Sequence, residues 1–199
     1  MKNISLKSID DLYEVELSDG SLLLLRSCYL PQEIVSPLFN LDANRLSPII
    51  EEGLHFAADC LLAEKAALRL IARAEQCSAG ISLKLEKRKF SSKCADTVIS
   101  RLIELKLIDD KRFARLWLES RPGLTRSPRR LLAGLVKRGI DMNCAKSILS
   151  EVLDEETEFS LLRRFAEKHS QEHDKQELEY LFKREGFSSK AIRLYFESF

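Results

Sequence analysis

The stretch LEKRKF at residues 85–90 is similar to LVKRGI at residues 135–140 and to FKREGF at residues 182–187. Each copy ends a run of apolar residues at helical spacing, and each is followed by a Ser or Asp suited to cap the next helix. Recurrence at such a period is typical of stacked repeats, which bury their apolar faces partly against each other. We therefore predict a mostly α-helical fold of three tandem three-helix repeats, forming an elongated, curved body. The predicted repeats are residues 64–109, 110–153 and 157–199.

The first sixty residues follow a different pattern. Residues 12–17 alternate apolar and polar side chains, Asp19-Gly20 is a tight-turn signal, and the apolar run 22–25 follows as a return strand. A short helix is predicted at 31–39, and a long helix is predicted to begin at Pro48. Residues 1–60 are thus predicted to form a β-rich module with a short helix. We expect residues 64–199 to fold without this module.

Charge is distributed unevenly along the chain. Residues 1–63 carry a net charge of −6, residues 64–146 carry +11 and residues 147–199 carry −4. Positive charge concentrated in one region attracts polyanions such as nucleic acid. The middle segment is therefore the predicted binding region.

Within that segment, basic residues at equivalent repeat positions predict one basic face for phosphates or acidic side chains. Lys87 corresponds to Lys137, and Arg88 corresponds to Arg138. Arg129 and Arg130 lie in the first turn of the helix predicted to begin at Ser127-Pro128. Cations are unfavourable there because of the helix dipole, so helix stability does not explain these two arginines. The predicted partner- and DNA-binding residues are Lys87, Arg88, Arg121, Arg126, Arg129, Arg130, Lys137 and Arg138.

Signals of catalysis are missing from the sequence. The seven glycines are isolated, so there is no phosphate-binding loop, and no hydrolase or metalloprotease motif occurs. His169 and His173 have a metal-binding spacing but lack a third ligand in the sequence, and His55 is expected to pack in or beside the core. We therefore expect a non-enzymatic binding protein with no catalytic residues, no metal and no cofactor.

The five cysteines are odd in number and form no CxxC pair. This usage is typical of reduced thiols, and we expect each to be a small buried hydrophobe. No apolar run resembles a secretory signal or approaches the ~20 residues of a membrane helix. These features predict a cytoplasmic protein without membrane contact, which we expect to be a monomer.

Several strings in the middle of the chain carry a family resemblance. LIDDKRFA at residues 107–114 is the most specific, between ALRLIAR at 67–73 and SPRRL at 127–131, with KRGI following at 137–140. From about Glu64 to Leu153 the sequence resembles the RecX family of regulators of the RecA recombinase. Within LIDDKRFA, the residues taken as a structural motif are Asp109, Asp110, Arg112 and Phe113. Asp109 is predicted to cap the next helix, and Asp110 to stabilise its first turn through the dipole.

The resemblance implies a protein that binds RecA, chiefly as the filament on single- or double-stranded DNA, and modulates its activity. It thereby implies a role in DNA repair by homologous recombination and in the SOS response. Inhibition is the expected sign, although the residues themselves do not decide it. The alternative is a direct DNA-binding regulator of helix-turn-helix type, but the candidate recognition turn at 127–130 offers only Arg for base edges. A nucleic-acid hydrolase would need clustered metal-binding carboxylates, which the sequence lacks.

Overall fold

The computed structural model describes residues 7–9, 11–17, 20–32, 48–120, 126–169 and 173–198. Three strands come first, β1 (Lys7–Ile9), β2 (Leu12–Glu16) and β3 (Leu22–Arg26), and a 3₁₀ turn follows at Ser27–Tyr29. The helices described after them are α1 (Pro48–Ile71), α2 (Ser78–Glu86), α3 (Ser92–Glu104), α4 (Asp110–Glu119), α5 (Pro128–Val136), α6 (Met142–Val152), α7 (Glu155–Glu167), α8 (Lys175–Arg184) and α9 (Ser189–Glu197). The mostly helical fold with a small N-terminal sheet is confirmed. Residues 33–39 of the predicted short helix lie outside the described residues.

The sheet is antiparallel, in the order β1-β2-β3. Tyr13 lies opposite Leu25 and Val15 lies opposite Leu23, so the alternating residues share one face. Val15 and Leu25 are fully buried while Leu24 is exposed, as the period-2 pattern predicts. One face of the sheet therefore belongs to a hydrophobic core.

The chain divides into two compact units, and the first comprises Met1–Glu75 with Ile81–Ile108. Its core joins Val15 and Leu25 of the sheet to Leu54 of α1 and to Val98 and Leu102 of α3. The sheet and the first helices thus share one core. The predicted boundary near residue 60 stays a prediction, and a shared core makes independent folding of the remainder harder.

A buried carboxylate also ties the sheet to α1. Glu64 is 4% exposed, and its carboxylate accepts hydrogen bonds from Arg26 Nε at 3.0 Å and from the Tyr29 hydroxyl at 3.1 Å. Burial, followed by the Glu64 charge and hydrogen bond, raises the pKa of Tyr29. The first unit therefore depends on contacts between its first thirty residues and α1.

The second unit comprises Gln76–Gly80 and Asp109–Phe199. Its core brings together Leu118 of α4, Leu131 of α5, Ile148 of α6, Leu162 of α7 and Phe182 of α8. Helices of the second and third predicted repeats are therefore packed in a single hydrophobic cluster.

The repeated hexapeptides adopt one backbone conformation. Their fifth residues, Lys89, Gly139 and Gly186, have φ values of +73°, +85° and +86°. In each copy the sixth residue donates its N–H to the carbonyl of the first, and the fifth donates to the carbonyl of the second. This pair of bonds is the Schellman motif that ends a helix at a left-handed residue. The recurrence seen in the sequence therefore corresponds to a recurring helix end, and the bounds of the three repeats stay a prediction.

Most predicted helix caps are also confirmed. The Asp109 carboxylate accepts from the N–H groups of Lys111 at 2.9 Å and Arg112 at 3.0 Å, and Asp141 caps α6 in the same way. Asp110 does more than stabilise a helix dipole, because its carboxylate accepts from the Ser78 N–H at 2.7 Å and from the Ser78 hydroxyl at 2.6 Å. Asp110 therefore fastens the start of α2 to the start of α4.

The expected burial of three residues was wrong. Cys60, Cys77 and Cys94 are buried, but Cys28 is exposed and Cys144 is partly exposed. His55 is also exposed, because α1 turns this position away from the core that Leu54 and Ala57 enter. Neighbouring positions on a helix point about 100° apart, so an apolar sequence context does not fix burial.

Candidate partner-binding surface

A buried carboxylate lies beside the two arginines at the start of α5. Glu185 is 7% exposed and follows α8, and its Oε1 is 3.7 Å from Arg129 Nη1. Its Oε2 is 4.0 Å from Arg130 Nε and accepts a hydrogen bond from the Ser127 hydroxyl. The two arginines therefore have an internal counter-charge, which accounts for cations in the first turn of a helix.

The backbone reinforces this contact. The Arg129 N–H donates to the Glu185 carbonyl at 3.0 Å, which satisfies one of the free N–H groups at the start of α5. A Cβ at Gly186 would lie 3.4 Å from the Arg129 nitrogen, so the turn after α8 fits closely there. Ser127 directly precedes α5, but its hydroxyl donates a hydrogen bond to Glu185 instead of capping the helix. The end of α8 thus holds the start of α5.

Arg138 is also held from within. Its guanidinium lies 4.4 Å from the centre of the Trp117 ring, and its Nη1 donates to the Gly134 carbonyl at 2.7 Å. A Cβ at Gly134 would lie 2.6 Å from Trp117, so the ring rests directly on α5. The Arg138 carbonyl accepts from the Cys77 thiol at 3.3 Å. Arg138 therefore has a packing role besides its positive charge.

Four predicted cations remain available to a partner. Lys87, Arg88, Arg126 and Lys137 are exposed, and their side chains make no ion pair within the described residues. Lys87 and Lys137 lie just past the carboxyl ends of α2 and α5, where the helix dipole favours cations. Arg121 lies outside the described residues.

The structure places four of the predicted cations of the second unit at opposite ends of α5. Arg129 and Arg130 lie in the first turn of α5, and Lys137 and Arg138 follow its last turn, roughly 12 Å away along the axis. Lys87 and Arg88 belong to the first unit, and the predicted row through both units stays a prediction. Glu185 was missed by sequence reasoning, because 55 positions separate it from Arg130 and no local pattern pairs them.

The two histidines with metal-binding spacing, His169 and His173, contact other neighbours. Phe165 packs on the His169 ring at 4.5 Å, and His173 Nδ1 lies 3.5 Å from a Glu177 oxygen. Among the described residues no group of three or more His, Cys, Asp or Glu side chains is placed to hold a metal ion. None of the helices in the described part of the chain is long and apolar enough to cross a bilayer.

Comparisons with known proteins place the chain in a family. No family model matches it. The regulatory protein RecX of Treponema pallidum strain Nichols is 33% identical over 140 residues, which cover 69% of this chain and 85% of that protein. The chain belongs to the RecX family. The regulatory protein RecX of Chlorobium phaeobacteroides is also 33% identical, over 135 residues that cover 64% of this chain and 86% of that protein.

Solved RecX structures share the fold. A crystal structure of regulatory protein RecX has a TM-score of 0.64 at 15% identity, covering 96% of both chains. The crystal structure of RecX from Lactobacillus salivarius has a TM-score of 0.57 at 22% identity, over 71% of this chain and 97% of that one. At these identities the likeness shows the fold alone. Membership of the RecX family makes the chain a regulatory protein and not an enzyme.

Proposed function

We propose that this RecX-family chain binds the RecA recombinase as its filament on DNA and inhibits filament activity. The observation that carries the proposal is membership of a family of regulatory proteins. Exposed cations that make no ion pair within the described residues add a physical basis for binding, because both DNA phosphates and acidic protein side chains attract them. The chain acts as a bound regulator and changes no covalent bond.

The basic face is proposed to consist of the eight residues from Lys87 to Arg138 given above. Lys87, Arg88, Arg126 and Lys137 supply the attraction most directly, since no internal carboxylate competes for them in the described residues. Arg129 and Arg130 contribute as well, because their side chains are 62% and 72% exposed and Glu185 lies near one nitrogen of each guanidinium. A guanidinium has five donors, so an outside phosphate finds free N–H groups.

The helix-turn-helix alternative finds less support. A recognition helix reads base edges with Asn, Gln or Arg near its start. The first turn of α5 offers Arg129 and Arg130, which already face the Glu185 carboxylate, and it contains no Asn or Gln. Binding without base readout suits a regulator that recognises a filament.

The test is a titration of the chain onto the RecA filament, comparing wild type with a variant in which Lys87, Arg88, Arg126 and Lys137 are changed to Ala. The control variant removes four ion-paired cations and so the same charge, by changing Arg115, Lys183, Lys190 and Arg193 to Ala. We expect the first variant to bind at least about tenfold more weakly, or about 1.4 kcal/mol, and the control to bind much like wild type. Equal affinities for all three would contradict the basic-face mechanism.

A further inference from the structure

The exposed side of α1 carries a row of cations that lies outside the basic face. Lys65, Arg69 and Arg73 are all exposed and are spaced four residues apart, with Arg73 in the turn that continues α1. Residues at this spacing lie on one side of a helix, about 6 Å apart along its axis. We call these three residues the α1 stripe.

No carboxylate among the described residues forms an ion pair with the α1 stripe. Glu64, next to Lys65 in sequence, faces the core, where Arg26 and Tyr29 bind it. Asp59, the nearest exposed acid before Lys65 on α1, is six residues earlier, or about 9 Å along the axis.

Several exposed cations on other helices are ion-paired, while others, such as Lys146 and Arg163, make no ion pair within the described residues. Lys183 Nζ lies 2.6 Å from Glu179 Oε1, and Arg193 Nε lies 3.7 Å from Glu197 Oε1. Lys190 forms an ion pair with Glu155. Like charges four residues apart cost a helix about 0.2–0.5 kcal/mol per pair, and the dipole compensates only near the carboxyl end. Helix stability therefore does not explain why a cation occupies position 65.

We propose that the α1 stripe binds the phosphate backbone of a nucleic-acid strand. Three charges in line over about 12 Å match a chain of regularly spaced phosphates, and the planar guanidinium pairs with phosphate through two N–H groups. A protein partner would favour an apolar centre, whereas the large apolar side chain beside the stripe, Leu62, lies before its first residue. The proposal deepens the proposed function, on which it rests for the presence of DNA in the complex.

The test measures binding of the full chain to a fluorescently labelled oligothymidine by anisotropy, at about 50 and 200 mM salt. The stripe variant changes Lys65, Arg69 and Arg73 to Ala. Because Ala has a high helix propensity, α1 should still form in this variant. The control changes Lys183, Lys190 and Arg193 to Ala and removes the same charge. Circular dichroism verifies that both variants keep their helix content.

We expect the stripe variant to bind at least about tenfold more weakly at the lower salt, and the slope of log affinity against log salt to fall by about 2, from three phosphates at ~0.7 each. The control should stay close to wild type. An unchanged stripe variant, an equal loss in the control, or no oligothymidine binding by wild type would overturn the proposal.

Parallel titration of the same proteins onto the RecA filament separates the two proposals. A stripe variant that loses filament binding but keeps its oligothymidine affinity would assign the stripe to an acidic protein surface and overturn the nucleic-acid assignment. A wild type that ignores the filament but binds oligothymidine through the stripe would contradict only the proposed function and support the stripe.

Discussion

Glu185→Gln removes the charge that the start of α5 depends on while keeping the shape of the side chain. A hydrogen bond to a charged group contributes about 1.5–3 kcal/mol, against about 0.5–1.5 for a neutral one, so the Ser127 bond should weaken by about 1 kcal/mol. The contacts at 3.7 and 4.0 Å to the exposed side chains of Arg129 and Arg130 add at most a few tenths each after solvent screening. Relief from burying a charge offsets part of the loss. We expect a net destabilisation of about 1 kcal/mol.

The assay is urea unfolding followed by the fluorescence of Trp117, the single tryptophan of the chain. Trp117 packs on α5 in the same unit as Glu185, so its emission reports the relevant transition even if the two units unfold separately. Ser127→Ala and the double variant complete a thermodynamic cycle. Because Ser127 and Glu185 share a buried hydrogen bond, the coupling free energy should be about 1 kcal/mol.

Glu151→Gln is the matched control, since it removes a carboxylate that pairs with Arg115 on the surface of the same unit. Both side chains there are about half exposed, so the change should cost well under 1 kcal/mol. A Glu185→Gln unfolding midpoint equal to that of the control, or a coupling free energy near zero with Ser127→Ala, would refute a structural role for the buried carboxylate.

Three other outcomes follow from the packing. Asp109→Ala should cost about 0.5–2 kcal/mol in the same fluorescence assay, the usual loss for a helix cap, and leave filament affinity per folded molecule unchanged; lost affinity at unchanged stability would make Asp109 a contact residue. A fragment of residues 64–199 should lose helix signal in circular dichroism beyond the residues removed, because it lacks the sheet side of the first core; full helicity would show that residues 1–60 are separable. A thiol reagent should modify exposed Cys28 in the native chain and should modify the three buried cysteines only on unfolding. Rapid modification of all five cysteines in the native chain would contradict the burial of these three. The three protected cysteines are Cys60, Cys77 and Cys94.

Local features of the fold could be predicted from the sequence because short-range contacts determine them. Asp109 and Asp141 cap helices through N–H groups two and three residues ahead, and Gly139 ends a helix by its own left-handed backbone. The repeated hexapeptide was informative for the same reason, since its two hydrogen bonds close within six residues. The alternation at residues 12–17 likewise identified β2 and its buried face.

Features that depend on tertiary contacts could not be predicted in this way. The partner of Arg129 and Arg130 is Glu185, which reaches them only when α8 packs near α5. The hydroxyl of Ser127 had a local use as a cap, but the buried carboxylate outcompeted it. The cations of the α1 stripe became recognisable only once the structure showed which side of α1 covers the sheet.

The most direct test of the central claim measures binding of the wild-type chain to three targets at two salt concentrations. The targets are the RecA filament on single-stranded DNA, RecA alone and the DNA alone. We expect the tightest binding to the filament at low salt, weaker binding to either component, and a fall in filament affinity as salt rises from about 50 to 200 mM. Absence of filament binding would contradict the proposed function, and tight binding with a flat salt response would contradict its electrostatic basis.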